Sequence, residues 1–293
     1  MLDLPQISIQ QLAYLATIEE EPTWAAAADR LHVTPSALSQ GIAELERRLG
    51  LDLFVREGRR RLPRAEAQPV FDYARSVIVQ THDLAQWADA RRAGRAGRLR
   101  VGMIDVAAVH HFPATIKAFT DTRPEVSLEL IVAPSSELVT RLIHGELDLA
   151  VVVETPHVVE GMDVVGLLSE PMAVYCPQQG PPAGAPDTWG PFVAFPPSSH
   201  TRSLIAAELT EIGAPFDVVA ESHQPEVLQQ MVRLGMGWTV LPVSQAERGS
   251  DPLQRVRPQP LLSRTLIAVQ RSARLDHPSA DAFLALLRDA SAS

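Results

Sequence analysis

The chain has 293 residues, 46% hydrophobic and 21% charged, enough for two or three compact units with ample core. Its formal net charge of −9 excludes a uniformly basic nucleic-acid binder, and no apolar run approaches the roughly 18 residues a membrane span requires. A single cysteine, Cys176, excludes an intramolecular disulfide framework, fits a reducing cytosol and lies in an apolar run expected to be core.

The N-terminus, MLDLPQISIQQ, has neither a basic n-region nor a continuous apolar stretch, so secretion is not expected. Ser8 is placed to cap a first helix carrying Leu12, Leu15, Ala16 and Ile18 and ending near Glu20. Glu21-Pro22 connects it to a second helix capped by Thr23, whose Ala27, Ala28 and Leu31 share one apolar stripe. His32 and Val33 make a turn. Thr34 then offers an N-cap hydroxyl and Pro35 occupies the first helical position, where a missing N–H costs nothing. Leu38, Ile42, Leu45 and Leu49 repeat every three to four residues and face inward. Ser36, Ser39 and Gln40 lie on the opposite face, near the start of the third helix, where a recognition helix meets base edges. Asp52 to Arg56 and Arg61 to Leu62 read as two short wing strands turning at Glu57-Gly58.

The segment TWAAAADRLHVTPSALSQGIAELERRLGLDLFVR resembles the winged helix-turn-helix of the LysR-type transcriptional regulators. The match runs in register through Ala27, Ala28, Leu31, Val33, Thr34, Pro35, Ser36, Ala37, Leu38, Ser39 and Gln40. It continues through Ile42, Leu45, Glu46, Leu49, Gly50, Leu53, Phe54 and Arg56. The chain departs from the pattern after the wing, where Leu62-Pro63-Arg64-Ala65-Glu66 replaces Leu-Thr-x-Ala-Gly, and at Ala25, where Ser or Thr is common. The resemblance implies a DNA reader. Thr34, Pro35, Ser36, Ser39 and Gln40 would face the major groove, and Arg56, Arg59 and Arg60 the backbone. The net charge does not oppose this, because Arg56, Arg59, Arg60, Arg61 and Arg64 crowd beside the third helix, with Arg47 and Arg48 at its far end. A solvated, charge-rich loop is the plainer account of that arginine cluster.

Ala65 to Ala93 carries one helical pattern. Ala67, Phe71, Ala74, Ile78, Thr81, Ala85 and Ala88 form a stripe widened by Val70, Val77, Leu84 and Trp87. Such a helix would exceed about 40 Å with no other core nearby. Its simplest partner is the same helix of a second subunit, as the resemblance implies, with the chain's own regulatory domain as the alternative. Gly94 and Gly97 mark a hinge.

Strands and helices then alternate. Strands are expected at Leu99–Met103, Ser127–Val132, Leu147–Val153, Val164–Leu168, Met172–Cys176, Phe192–Phe195, Phe216–Ala220, Trp238–Leu241 and Thr265–Val269. Helices are expected at Val109–Thr120, Ser136–His144, Arg202–Ile212, Glu226–Leu234 and Pro278–Asp289, and QQGPPAGAPDTWGP is expected to be an exposed loop. The fold class is thus α/β: an N-terminal winged helix-turn-helix (1–64), a dimerising linker helix (65–93), and a two-lobed type 2 periplasmic-binding-protein-like regulatory domain. Its lobes would be 99–167 plus 265–293, and 168–264.

Ligands of open α/β sheets bind beyond the carboxyl ends of the strands. Here those positions are Asp105, Val106, Ser135, Ser136 and Glu154 on one lobe, and Ser198, Ser199, Thr201, Arg202, His223 and Gln224 on the other. The resemblance places a small-molecule co-inducer among them. The hydroxyls suit a carboxylate or phosphate with Arg202 as counter-charge. Equally, the serines can be helix caps, and Asp105 would repel an acid and favour an amine, or cap a helix. His110-His111 lacks the spacing and carboxylates of a metal site, no Gly-x-Ser-x-Gly elbow appears, and Gly235-x-Gly237 follows a helix rather than a strand. No catalytic residue, metal or cofactor is therefore expected. A pseudo-palindromic duplex, a homodimer or homotetramer and a small effector are the expected partners, in the cytoplasm and without a membrane. A solute-binding module and a two-lobed enzyme, such as a deaminase or dehydratase, are the competing classes.

Overall fold

The computed structural model describes residues 6–57, 60–92, 97–156, 161–177, 184–248 and 251–292. It divides into two compact units, Met1–Asp89 and Ala90–Ser293.

The first unit begins with three helices whose starts are fixed locally. In α1 (Ile9–Glu20) the Ser8 hydroxyl accepts from Gln11 N at 3.1 Å and the Gln11 side chain accepts from Ser8 N at 3.1 Å, a reciprocal capping box. Helix α2 (Trp24–Arg30) is capped by Thr23 and α3 (Pro35–Leu49) by Thr34, with Pro35 at the first position. Between them Val33 N reaches back to Ala28 O at 3.0 Å, and His32 takes a left-handed φ of 54°. Gly50 ends α3 at φ 66°, a conformation that costs most side chains free energy. The wing is an antiparallel pair, β1 (Phe54–Glu57) and β2 (Arg60–Pro63), in the register Arg56 opposite Arg61. Of the turn expected at Glu57-Gly58, Gly58 lies outside the described residues.

A 3₁₀ turn (Ala65–Ala67) leads into α4 (Gln68–Arg92). The helix therefore starts later than expected: Pro63 supplies no hydroxyl, and Arg64 makes no side-chain cap. At about 1.5 Å per residue its 25 residues span about 37 Å. The expectation that no core lies nearby is also corrected. Ala67, Phe71 and Ala74 are buried with Leu15, Leu38 and Leu53 in the core of the first unit. Phe54 makes edge contacts with Trp24 (4.9 Å) and Phe71 (5.6 Å), so the wing itself brings core to the helix. Farther along α4, Leu84 and Trp87 are exposed. Of the expected hinge, Gly94 lies outside the described residues, and Gly97 takes a positive φ of 102°.

The second unit is built on a six-stranded mixed sheet. Strands β3 (Arg98–Met103), β4 (Ser127–Val132) and β5 (Leu149–Val153) are parallel, and the order across the sheet is β4-β3-β5-β10-β6-β9. Strands β6 (Met162–Tyr175) and β10 (Leu262–Arg271) are long antiparallel partners, and β9 (Thr239–Pro242) closes the far edge. Parallel β7 (Phe192–Ala194) and β8 (Val218–Glu221) form a second small sheet. Helices α5 (Pro113–Thr122), α6 (Ser135–Ile143) and α10 (Pro278–Ser291) belong to the first half. Helices α7 (His200–Glu211), α8 (Pro225–Arg233) and α9 (Val243–Ala246) belong to the second. Two hydrophobic cores result, one around Val101, Val151 and Phe283, the other around Tyr175, Phe192 and Leu241.

Three expectations change here. The two strands expected at Val164–Leu168 and Met172–Cys176 are one strand, because polar Glu170 is buried on an ion pair rather than ending the run. The helix expected from Val109 is a π-helical turn (Ala107–His111) followed by α5, which starts afresh at Pro113 because proline has no N–H to continue a helix. The Pro/Gly-rich loop is not wholly exposed: Trp189 is buried and stacks on Trp238 at 5.7 Å, while 178–183 lie outside the described residues. Cys176 packs half-buried against the second core, which pushes its thiol pKa up.

Candidate functional site

The surface chemistry of the first unit follows from what α3 hides. Leu38, Ile42 and Leu45 are fully buried, which turns Thr34, Pro35, Ser36 and Gln40 outward, with Ser39 half-buried beside them. Thr34 Oγ1 accepts from Ala37 N at 3.2 Å and so fixes the helix start. A Cβ on Gly41 would meet the Tyr14 ring at 2.7 Å, so the close approach of α1 to α3 beside Gln40 requires glycine. The polar strip is therefore presented on a tightly seated helix.

Arg56 is exposed on β1; Arg59 lies outside the described residues, and Arg60 is described by its backbone alone. Arg61 stacks over Trp24, 4.9 Å from the ring centroid. Arg47 and Arg48, counted in the sequence as part of a local positive field, both bind Glu44, with contacts of 2.6–2.7 Å. Their hydrogen bonds hold the Glu44 carboxyl down to about 2, so one of the two positive charges at the end of α3 is offset. Reading charge from spacing missed this because Glu44 sits one turn before both. The sequence reading also gave no role to Glu46, whose carboxylate accepts from Leu53 N (2.8 Å) and Phe54 N (3.3 Å) and ties the wing to α3.

In the second unit a cavity of about 790 Å³ opens where the carboxyl ends of β3, β4, β5 and β7 face one another. Asp105, Val106, Ser135, Ser136 and Glu154 line it from one half, and Ser198, Ser199, Thr201, His223 and Gln224 from the other. Arg202 does not. One helical position beyond Thr201, it turns outward, where Nη1 donates to Phe195 O (3.0 Å) and to the Glu221 carboxylate, and the guanidinium lies 5.6 Å from the Phe216 ring. The expected counter-charge is thus corrected. The helix-cap account of the serines is corrected as well. The residue before α6 is Pro134, and Ser199 before α7 makes no side-chain cap bond. Ser135 Oγ instead accepts from Val153 N at 3.2 Å.

The guanidinium lining this cavity is Arg264, just before the strand expected from Thr265 and not singled out in the sequence. It is buried, with Nε 2.8 Å from Glu170 Oε2, Nη2 at 2.7 Å from the same oxygen, and Nη1 donating to Thr201 Oγ1 at 2.8 Å. Glu170, fully buried, also meets His111 Nε2 at 2.6 Å and accepts from Ser244 Oγ at 3.0 Å. Burial alone would raise its pKa; His111 and Arg264 together hold it below the usual carboxylate range. Asp105 goes the other way, raised to about 6 by burial and by the charge of Glu226 against that of Arg264. Burial lowers His200 and His110. Asp148, just before β5, is structural: it accepts from Arg100 Nη2 (2.6 Å) and Arg100 N (2.7 Å). Among the described residues no group of three or more His, Cys, Asp or Glu is placed to hold a metal ion.

Comparison with known proteins matches both units. Residues 9–67 match the family described as "Bacterial regulatory helix-turn-helix protein, lysR family", and residues 92–292 match "LysR substrate binding domain". The chain is 29% identical over 245 residues to the DNA-binding transcriptional dual regulator OxyR of Escherichia coli, spanning 80% of this chain and 79% of that one. It is 26% identical over 255 residues to a "Probable RuBisCO transcriptional regulator" of Emiliania huxleyi, spanning 83% and 81%. In fold it is similar to ArgP of Mycobacterium tuberculosis, with a TM-score of 0.66 at 23% identity over 100% of this chain and 98% of that one.

Proposed function

Because this chain belongs to the LysR family of transcriptional regulators, with a DNA-binding helix-turn-helix and an effector-binding substrate domain, we propose how its own residues divide that work. Thr34, Pro35, Ser36, Ser39 and Gln40 enter the major groove. Gln40 is the base reader, since its amide pairs in bidentate fashion with adenine. Arg56, Arg59 and Arg60 hold phosphates. The exposed end of α4, with Leu84 and Trp87, joins the same helix of a second copy, so that a dimer or tetramer reads a pseudo-palindromic site. The cavity between 99–167 plus 265–293 and 168–264 takes a small-molecule co-inducer. Chromosomal DNA as partner places the protein in the cytoplasm. Among the described residues no helix is long and apolar enough to cross a membrane.

The observation that carries this reading is the outward polar strip of Ser36 and Gln40 on a helix whose opposite face is wholly core. Fluorescence anisotropy of the full chain with duplex DNA from its own upstream region, against a scrambled duplex, tests it. A preference for the upstream duplex that persists as salt rises is expected. Equal binding to both duplexes by a protein that sediments as a monomer would end the reading.

A further inference from the structure

We propose that the cleft of the second unit selects an effector carrying a cationic amine on an apolar body, with the Asp105 carboxylate as its anchor. This rests on the cleft being the effector site and concerns which chemistry it admits.

Most of the wall is aliphatic, including Ile104, Val106, Val139, Val153, Ile267 and Val269. Its charged groups are unequal. Among the described residues the lining holds one guanidinium, Arg264, and no lysine. Arg264 is already committed, with Nε and Nη2 on Glu170 and Nη1 on Thr201. Arg202 points away, onto Glu221 and Phe216. Burial of the His200 imidazole favours its neutral form. Among the described lining residues an incoming carboxylate therefore finds neither a lysine nor an uncommitted guanidinium. The N-termini of α6 and α7 can attract an anion, but only as partial charges set beside the carboxylates of Asp105 and Glu154.

The acids are differently placed. Asp105 Oδ1 is buried without a hydrogen-bond partner among the described residues, a demand that native interiors rarely leave unmet. Glu154 lies exposed on the same wall, and Glu226 is near enough to act on Asp105. An ammonium brought to the Asp105 carboxylate from the cleft pairs with it and offsets the clustered negative charge. The raised pKa of Asp105 is what such a pocket shows before its cation arrives, and a bound cation restores the ionised form. Glu226 from α8 and Arg264 from β10 act on Asp105, and Glu154, His200 and His223 are the other titratable groups lining the same cavity.

Isothermal titration of the full chain with hexylamine, hexanoate and hexan-1-ol, three probes of one length, tests the assignment. At pH about 7.5 hexylamine should bind at least about tenfold more tightly than either rival. That preference should disappear in Asp105→Asn and shrink in the wild type below pH about 6, as the carboxylate takes a proton. Ser136→Trp, at an exposed position lining the cavity, should abolish hexylamine binding. A preference for hexanoate or hexanol, no binding of hexylamine, or an unchanged preference in Asp105→Asn overturns the amine assignment. Hexanoate or hexanol binding that is lost in Ser136→Trp leaves the cleft standing while the amine fails. Binding of all three probes untouched by Ser136→Trp overturns the cleft reading itself.

Discussion

Glu170 and Arg264 stand opposite each other across β6 and β10, at the position where one hydrophobic core of the second unit gives way to the other. On one side Leu168 and Leu266 pair within the first core; on the other Met172 pairs with Leu262 against the second. The ion pair also collects His111 from the first half and Ser244 and Thr201 from the second.

Removing one partner leaves the other charged and buried. Glu170→Gln should lower unfolding free energy by about 3–5 kcal/mol in urea melts, whereas Glu170→Leu with Arg264→Met should lose far less. A double variant as unstable as the single one would show that packing, not the unpaired guanidinium, sets the cost. Because the folded Glu170 pKa is depressed, its contribution is present above the unfolded value of about 4.5 and is lost as pH falls through the folded one.

Asp105 has the opposite linkage. Its folded pKa is raised to about 6 from an unfolded 3.8, so the ligand-free protein should lose stability as pH climbs through that interval. Asp105→Asn should therefore stabilise the protein at neutral pH, by about 1 kcal/mol once partial solvent screening is allowed for. Thermal melts between pH about 4 and 7.5 check this. A wild-type curve parallel to that of the variant would count against it.

Gln40→Ala should relax discrimination at one base pair by about 1–3 kcal/mol and leave the others intact. Anisotropy against a set of single-base-pair site variants reads this directly, and a uniform loss across the set would remove Gln40 from the reading role.

Two arginines separated by their partners should behave differently. Arg56→Ala should weaken binding to all sequences and reduce the salt slope by about 1. Arg47→Ala should change affinity less than Arg56→Ala, because the Arg47 guanidinium is held on Glu44. Equal salt slopes for the two variants would contradict the assignment.

Glu46→Ala strips the acceptor from Leu53 N and Phe54 N, both at the entry to the wing. A loss of about 1–3 kcal/mol in stability is expected, together with faster amide exchange in β1 than in α1. Unchanged exchange at Phe54 would mean the tie is not what holds the wing.

Local chemistry made the first unit legible. Ser8, Thr23 and Thr34 each precede an apolar period, and each hydroxyl does accept from a backbone N–H three residues on. Strand-end positions likewise brought Asp105, Ser135 and Thr201 to one cavity. Relationships that depend on the assembled fold could not be read this way. Arg264 and Glu170 are 94 residues apart, and nothing around either announces the other. Arg202 failed because a single step along α7 rotates a side chain about 100°, from the cleft wall to the outside. Trp189 failed because a Pro/Gly-rich context reads as surface although Trp238 waits to receive the ring.

The two long strands that join the halves of the second unit are also each other's hydrogen-bonded neighbours over ten residue pairs, from Leu262–Met172 to Arg271–Met162. Sliding one half past the other would break those rungs in sequence, while a shared flexure keeps them all. Relative movement of the two halves is thereby favoured as bending of one shared ribbon over slip along it.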